Sequence, residues 1–115
     1  MMVLEALLSF NQHRASITST LFLGLEYLQE ITLMENNLIH LPEDIFRTAT
    51  NLTRVHLKRN RLTELPGNIF KTAINLEIID LRHNKLTYLN ETLFRGLGKL
   101  KFLYVTDNEL ASIHG

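Results

Sequence analysis

The sequence predicts an α/β solenoid in which short parallel strands from successive repeats lie side by side. The stretch LTRVHLKRNRLTELPGNIFKTAIN at 52–75 aligns without gaps with the 24 residues before it and the 24 after it. Each copy opens with apolar residues two positions apart, as one buried face of a strand requires. A period of roughly 20–29 residues is typical of solenoids, whose units bury their apolar faces only against each other.

The strand half of each copy contains the most regular columns. A leucine opens the copies at Leu28, Leu52, Leu76 and Leu100. The two inward strand positions hold Ile31 and Leu33, Val55 and Leu57, Ile79 and Leu81, Leu103 and Val105. An asparagine follows at Asn36, Asn60, Asn84 and Asn108. Because its amide both donates and accepts, we expect it to satisfy backbone groups of its own turn and of the next copy.

The second half of each copy supplies the outer side of the solenoid. Two rows recur there, and we expect both to stack: Ile45, Ile69 and Leu93, then Phe46, Phe70 and Phe94. The accompanying segments EDIFRTA, GNIFKTA and ETLFRGL are each long enough for only one helical turn. Pro42 and Pro66 precede the first two segments, where a fixed φ suits the start of the outer segment. Asn90 takes their place in the third.

We expect a single domain over residues 1–115. Full repeats occupy 28–51, 52–75 and 76–99, and a truncated copy occupies 100–115. Residues 1–27 are predicted to be a degenerate first repeat: the 24-residue spacing puts Leu7 in the column of Ile31, but Gln12 stands where asparagine recurs. No polar cap follows the last copy, so we expect an excised segment whose bare ends favour self-association.

Composition excludes several classes of function. There is no cysteine, hence no disulfide framework, thiolate metal site or cysteine nucleophile. The formal net charge of zero gives no general attraction to nucleic acid or membranes, and no apolar run is long enough to span a bilayer. The histidines at 13, 40, 56, 83 and 114 lack metal-ligand spacing, so we predict no metal and no cofactor.

The outward strand residues form a surface on which charge is segregated. Its basic centre comprises Arg54, Lys58, Arg59, Arg61, Arg82 and Lys85, with His56 and His83 among them. Its edges are acidic, at Glu30, Glu35, Asp107 and Glu109. This distribution suits a protein partner with an acidic patch, and Phe102 and Tyr104 are candidate apolar anchors. Two alternatives are binding of a heparin-like polyanion and charges that only keep the sheet soluble. A further repeat would instead cover the two aromatic residues.

Catalysis finds little support in the sequence. His56 and Asp80 fall on adjacent predicted strands, but no serine, threonine or cysteine nucleophile is aligned with them by the repeat columns. A surface pair is the better interpretation of these two residues. We therefore predict a binding module and not an enzyme, with a hydrolase using His56 as a formal alternative.

The run IFRTATNLTRVHLKRNRLTELPGNIFKTAINLEIIDLRHNKLTYL resembles the typical 24-residue class of extracellular leucine-rich repeats, above all Toll-type receptor ectodomains of insects. The resemblance implies a right-handed horseshoe segment with its parallel sheet on the concave face.

The resemblance also implies a role and a location. It implies an innate-immune or developmental receptor ectodomain that binds a protein ligand outside the cell or at its surface, as part of a larger protein. The predicted contact residues are Arg54, His56, Lys58, Arg59, Asp80, Arg82, His83, Phe102 and Tyr104. The sequons at Asn51 and Asn90 are candidate glycosylation sites. MMVLEALLSF lacks the basic n-region of a secretion signal, so a cytoplasmic leucine-rich-repeat scaffold or adaptor is the alternative.

Overall fold

A computed structural model describes residues 5–7, 21–35 and 37–113 of the chain. Its strands are short, two or three residues each. They are β1 (Glu5–Leu7), β2 (Glu30–Thr32), β3 (Arg54–His56), β4 (Ile78–Asp80), β5 (Tyr88–Leu89), β6 (Phe102–Tyr104) and β7 (Ser112–Ile113). One sheet has the order β1-β2-β3-β4-β6, a second contains β5 and β7, and every pair is parallel. The predicted parallel sheet of successive repeats is confirmed.

Strand register follows the period except at the first strand. Ile31 lies opposite Val55, Val55 opposite Ile79, and Ile79 opposite Leu103. In β1, however, Ala6 lies opposite Ile31, and Leu7 lies opposite Thr32. The placement of Leu7 in the column of Ile31 was wrong by one residue, so the 24-residue spacing does not extend back to β1. The column position of Gln12 lies outside the described residues.

The core is built from the columns that the repeat predicted. The inward strand residues of β2, β3 and β4 and the leucines that follow them are fully buried: Ile31, Leu33, Val55, Leu57, Ile79 and Leu81. In and after β6, Leu103 and Val105 are partly buried and pack against this core. Since each unit buries its apolar face on its neighbour, the core runs continuously through the stack.

Asparagines close the inner turns. We expected each to bond to the next copy, but the hydrogen bonds run to the preceding copy. Asn60 Oδ1 accepts a hydrogen bond from the Leu38 amide at 3.0 Å, and its Nδ2 donates to the Leu33 and Leu57 carbonyls at 2.8 and 3.0 Å. Asn84 and Asn108 repeat the arrangement one and two copies later. Each amide therefore binds its own turn and the preceding copy, not the next one. Asn36 lies outside the described residues.

The convex side consists of turns. Amides bond to carbonyls three residues earlier, from Ile45 to Pro42, Arg47 to Asp44 and Ala49 to Phe46, at 3.1–3.3 Å. No helix occurs in the part of the chain that the structure describes. In the third copy Asn90 replaces the proline, and its Oδ1 accepts from the Thr92 amide at 2.9 Å, an Asx turn that fixes the same corner.

The predicted aromatic row is confirmed for Phe46 and Phe70, and Phe22 extends it, but among the described residues Phe94 does not stack on Phe70. Phe22, Phe46 and Phe70 stack with ring centroids 6.1 and 6.0 Å apart, and all three are buried. Phe94 is partly buried and packs against the same core. The row supports the convex side and leaves the outward strand residues free to form a surface.

Candidate functional site

The candidate site is the concave face, defined here as the outward side chains of β2, β3, β4 and β6 and of the turn residues that follow them. Each strand contributes two or three outward positions that stand in register with those of its neighbours. The residue after these positions has left-handed backbone geometry in every copy: Glu35, Arg59, His83 and Asp107, with φ of 59–62°. This backbone geometry ends the alternation of inward and outward side chains and directs the chain toward the asparagine of the inner turn.

Unpaired cations lie along β3 and the turn that follows it. Arg54 and Arg59 are exposed and Lys58 is half-buried. None of the three makes an ion pair with a residue that the structure describes. We call these three residues the β3 stripe. Arg61 and Lys85 are also exposed and extend the positive charge to the rim.

Both predicted site histidines lie against acidic residues on neighbouring strands or turns, His56 through a hydrogen bond and His83 through a close contact. His56 Nε2 lies 2.7 Å from Glu30 Oε2, and His83 Nδ1 lies 3.2 Å from Asp107 Oδ2. His56 and Asp80 lie opposite each other on adjacent strands, as expected, but His56 hydrogen-bonds to Glu30 on the strand at its other side and Asp80 hydrogen-bonds to Arg82. Glu30 and Asp107 thus contact the histidines and do not form free acidic edges.

Asp80, the last residue of β4, is buried and holds Arg82, which lies two residues further along the chain. Its Oδ1 accepts from Arg82 Nε at 2.9 Å and from the Arg82 amide at 3.1 Å, and its Oδ2 accepts from Arg82 Nη2 at 2.7 Å. Burial alone would raise the pKa of Asp80, but the hydrogen bonds and charge of Arg82 outweigh it and hold that pKa below its usual value. The bond to Asp80 likewise raises the pKa of Arg82.

Arg82 packs on an aromatic pair. Its guanidinium carbon lies 4.9 Å from the centre of the Tyr104 ring, and the Tyr104 and Phe102 rings are stacked 6.0 Å apart at 6°. Phe102 is 50% exposed and Tyr104 38% exposed, so both present surface to solvent. We call Arg82, Phe102 and Tyr104 the aromatic platform.

The structure therefore divides the predicted site into two parts. Arg54, Lys58 and Arg59 remain free cations, whereas Arg82 has its charge compensated and joins the aromatic residues. The predicted basic centre is thus concentrated on one strand. Sequence reasoning left Glu30 out of the site. The sequence signal that could have identified it is that the repeat columns place Glu30 directly opposite Arg54 and on the strand next to that of His56.

Comparison with known proteins identifies the family. A family model described as leucine rich repeat matches residues 50–110. The chain belongs to the leucine-rich-repeat family. A comparison with curated proteins gives no match.

Solved leucine-rich-repeat structures have the same fold. A chain of the Drosophila Toll–Spatzle complex superposes with a TM-score of 0.83 at 34% identity, covering 90% of this chain and 14% of that one. A chain of the glycosylated form of that complex gives 0.85 at 26% identity, covering 96% and 15%. The leucine-rich-repeat domain of APL1B gives 0.82 at 26% identity, covering 84% and 28%. The chain thus spans a minor part of each protein's length.

The two sequon asparagines also have structural partners within the leucine-rich repeats. Asn51 Nδ2 donates to the Glu26 carbonyl at 2.7 Å, and Asn75, one copy later and without a sequon, makes the same kind of bond to Thr50 at 3.1 Å. Asn90 forms the Asx turn with Thr92 through its Oδ1. The repeat geometry by itself therefore accounts for the asparagine at each position.

Within residues 5–7, 21–35 and 37–113 no group of three or more His, Cys, Asp or Glu side chains is arranged to hold a metal ion. No described helix is long and apolar enough to cross a membrane. His13 and His114 lie outside the described residues.

Proposed function

We propose that this chain is a ligand-binding part of an extracellular leucine-rich-repeat receptor and that a protein partner docks on its concave face. The residues that would contact the partner are Arg54, His56, Lys58, Arg59, Arg82, His83, Phe102 and Tyr104, whereas the predicted contact residue Asp80 is buried and holds Arg82 in place. The observation that carries the proposal is the placement of the free cations of the β3 stripe beside the exposed aromatic platform. Clustered cations steer an acidic partner, and exposed aromatic groups anchor it.

Similarity to the Toll–Spatzle structure supports a protein ligand. That structure is described as a molecular hub in Drosophila development and innate immunity. By analogy we propose a role in innate immunity or development for the protein to which this chain belongs.

From the same similarity we propose an extracellular location, and from the two sequons we propose glycosylation at Asn51 and Asn90. Secretion of the chain from eukaryotic cells behind a signal sequence should add glycan mass to peptides containing these residues, removed by Asn→Gln substitution. Secreted protein that carries no glycan at either asparagine would contradict this part of the proposal and favour the intracellular scaffold.

Site-specific photo-crosslinking tests the docking face. A photoreactive amino acid replaces Arg54 on the concave face or, as the matched control, Lys71 on the convex side; both are exposed. Each variant is exposed to purified Spatzle and to proteins secreted by cultured Drosophila cells. Adducts with a secreted protein from position 54 and not from position 71 are expected.

Other adduct patterns would count against the proposal. Adducts from position 71 alone would place the partner on the convex side. Absence of adducts at both positions would argue against protein binding by this chain. Adducts only between two copies of the chain would replace ligand binding by self-association.

A further inference from the structure

The concave face contains two chemically different surfaces, and we infer that they bind two different groups of one partner. The β3 stripe takes carboxylates, and the aromatic platform takes an apolar side chain. The partner is therefore a protein segment that presents acidic residues and, about 10 Å to one side, a large apolar residue. This inference rests on the proposed function and specifies the partner's chemistry.

The geometry of the β3 stripe sets the spacing of the carboxylates. Arg54 and Lys58 are four residues apart on the outward face of β3 and the residue run that continues it. At about 3.3 Å per residue their Cα atoms are separated by about 13 Å. His56 stands between them, but its Nε2 is already hydrogen-bonded to Glu30 at 2.7 Å. An extended segment with acidic residues at positions i and i+4 matches this pattern, because both point to the same side.

The aromatic platform is rigid before the partner arrives. Arg82 is fixed by three hydrogen bonds to buried Asp80 and covers Tyr104, which in turn stacks on Phe102. Because these side chains are already ordered, packing an apolar group against them costs little further conformational entropy. Asp80 compensates the charge of Arg82, so the platform does not compete with the β3 stripe for carboxylates.

The two surfaces are near enough for one partner. β4 separates β3 from β6, and two strand spacings give about 10 Å between the rows. In the column of Arg54, half-buried Ile78 lies between Arg54 and Phe102 in register with both, and continues the apolar surface. A sulfated polysaccharide would engage the cations but has no apolar group for the platform. A basic segment would be repelled by the β3 stripe.

Selection of peptides on the folded chain tests the inference. The probe is a phage-displayed library of random peptides, selected against the immobilised chain in parallel with a Lys71→Ala/Arg95→Ala variant, which alters two exposed cations of the convex side. Enriched peptides should combine acidic residues, commonly four positions apart, with an aromatic or large aliphatic residue. The same peptides should be enriched on both proteins.

Two variants separate the surfaces. Arg54→Ala/Lys58→Ala should remove the preference for acidic residues and keep the apolar one, whereas Phe102→Ala should do the reverse. For a single enriched peptide, each variant should raise Kd by about tenfold. Circular dichroism spectra matching the unmodified chain establish that both variants are folded.

Several outcomes would overturn the inference. Peptides that are acidic but lack an apolar residue, and that heparin oligosaccharides displace, would indicate polyanion recognition. Peptides insensitive to both variants would place binding off the two surfaces while leaving protein binding intact. No enrichment on any version of the chain would contradict the proposed function together with this inference.

Discussion

Strands β3 and β4 lie side by side on the same frame, yet their charged residues are arranged differently. Lys58 and Arg82 occupy the same column, one copy apart. Two residues before Lys58 stands His56, which is bonded to Glu30 on β2; two residues before Arg82 stands Asp80, which binds Arg82 itself. One cation is therefore available to a partner, and the other is part of a packed cluster.

The comparison shows that repeat columns and surface chemistry are separately determined. The inward residues of both strands are alike and fully buried, and Asn60 and Asn84 close both turns with equivalent hydrogen bonds. The availability of each cation depends on one outward residue, His56 or Asp80. A change in that residue should alter the charge that the concave face presents while the inward columns stay the same.

The largest effect is expected from breaking the support that both strands share. Phe70 is 1% exposed and stacks on Phe46, so Phe70→Ala opens a cavity in the aromatic row. We expect the free energy of unfolding to fall by about 3–5 kcal/mol in urea titrations. Phe94→Ala is the control: because Phe94 is only partly buried, its loss should be smaller. Equal losses would mean that the row is not the main support.

A smaller effect is expected from removing the carboxylate that distinguishes β4 from β3. Asp80→Asn loses the charged partner of Arg82 and should lower the free energy of unfolding by about 1–3 kcal/mol at neutral pH. The equivalent change His56→Ala removes one half-buried bond to Glu30 and should cost about 1 kcal/mol or less.

The Asp80 contribution should depend on pH with a definite sign. Its pKa in the folded protein lies below 3.8, so its stabilisation is complete above that value and is lost as pH falls through the lower, folded pKa. The stability difference between the unmodified chain and Asp80→Asn should therefore be constant near neutral pH and shrink below about pH 4. Urea titrations across this range would measure it. A difference that grows with acidity would contradict the assignment.

The smallest effect is expected at Arg59 and His83, which follow β3 and β4 and have left-handed backbone geometry. Arg59 has φ 62° and no ion pair with a described residue, so Arg59→Gly should raise the free energy of unfolding by up to about 1 kcal/mol. His83→Gly has the same backbone relief at φ 59° but loses the bond to Asp107, so its gain should be smaller. Arg61→Gly, at a position without positive φ, should be destabilising; stabilisation there would refute the backbone explanation.

The sequence predicted the features that recur and missed those that do not. Period, strand positions, buried columns and the aromatic row follow from residues repeated in each copy. The charge pairing did not, because it depends on which way each side chain reaches. Arg82 bends back two residues to Asp80, whereas His56 reaches across one strand gap to Glu30 on β2. The β1 register failed because a single added residue in a degenerate copy leaves no periodic signal.

The direction of the asparagine bonds has a consequence for how such chains lengthen. Asn60 completes the turn of the copy before it, and Asn84 does the same for the copy of Asn60. In a duplicated unit inserted between them, the asparagine would hydrogen-bond a backbone carbonyl and a backbone amide of the preceding copy. The unit's own carbonyl and amide would in turn bond the asparagine of the following copy. Gene duplication can thus extend the array one unit at a time without stranding a polar group at either junction.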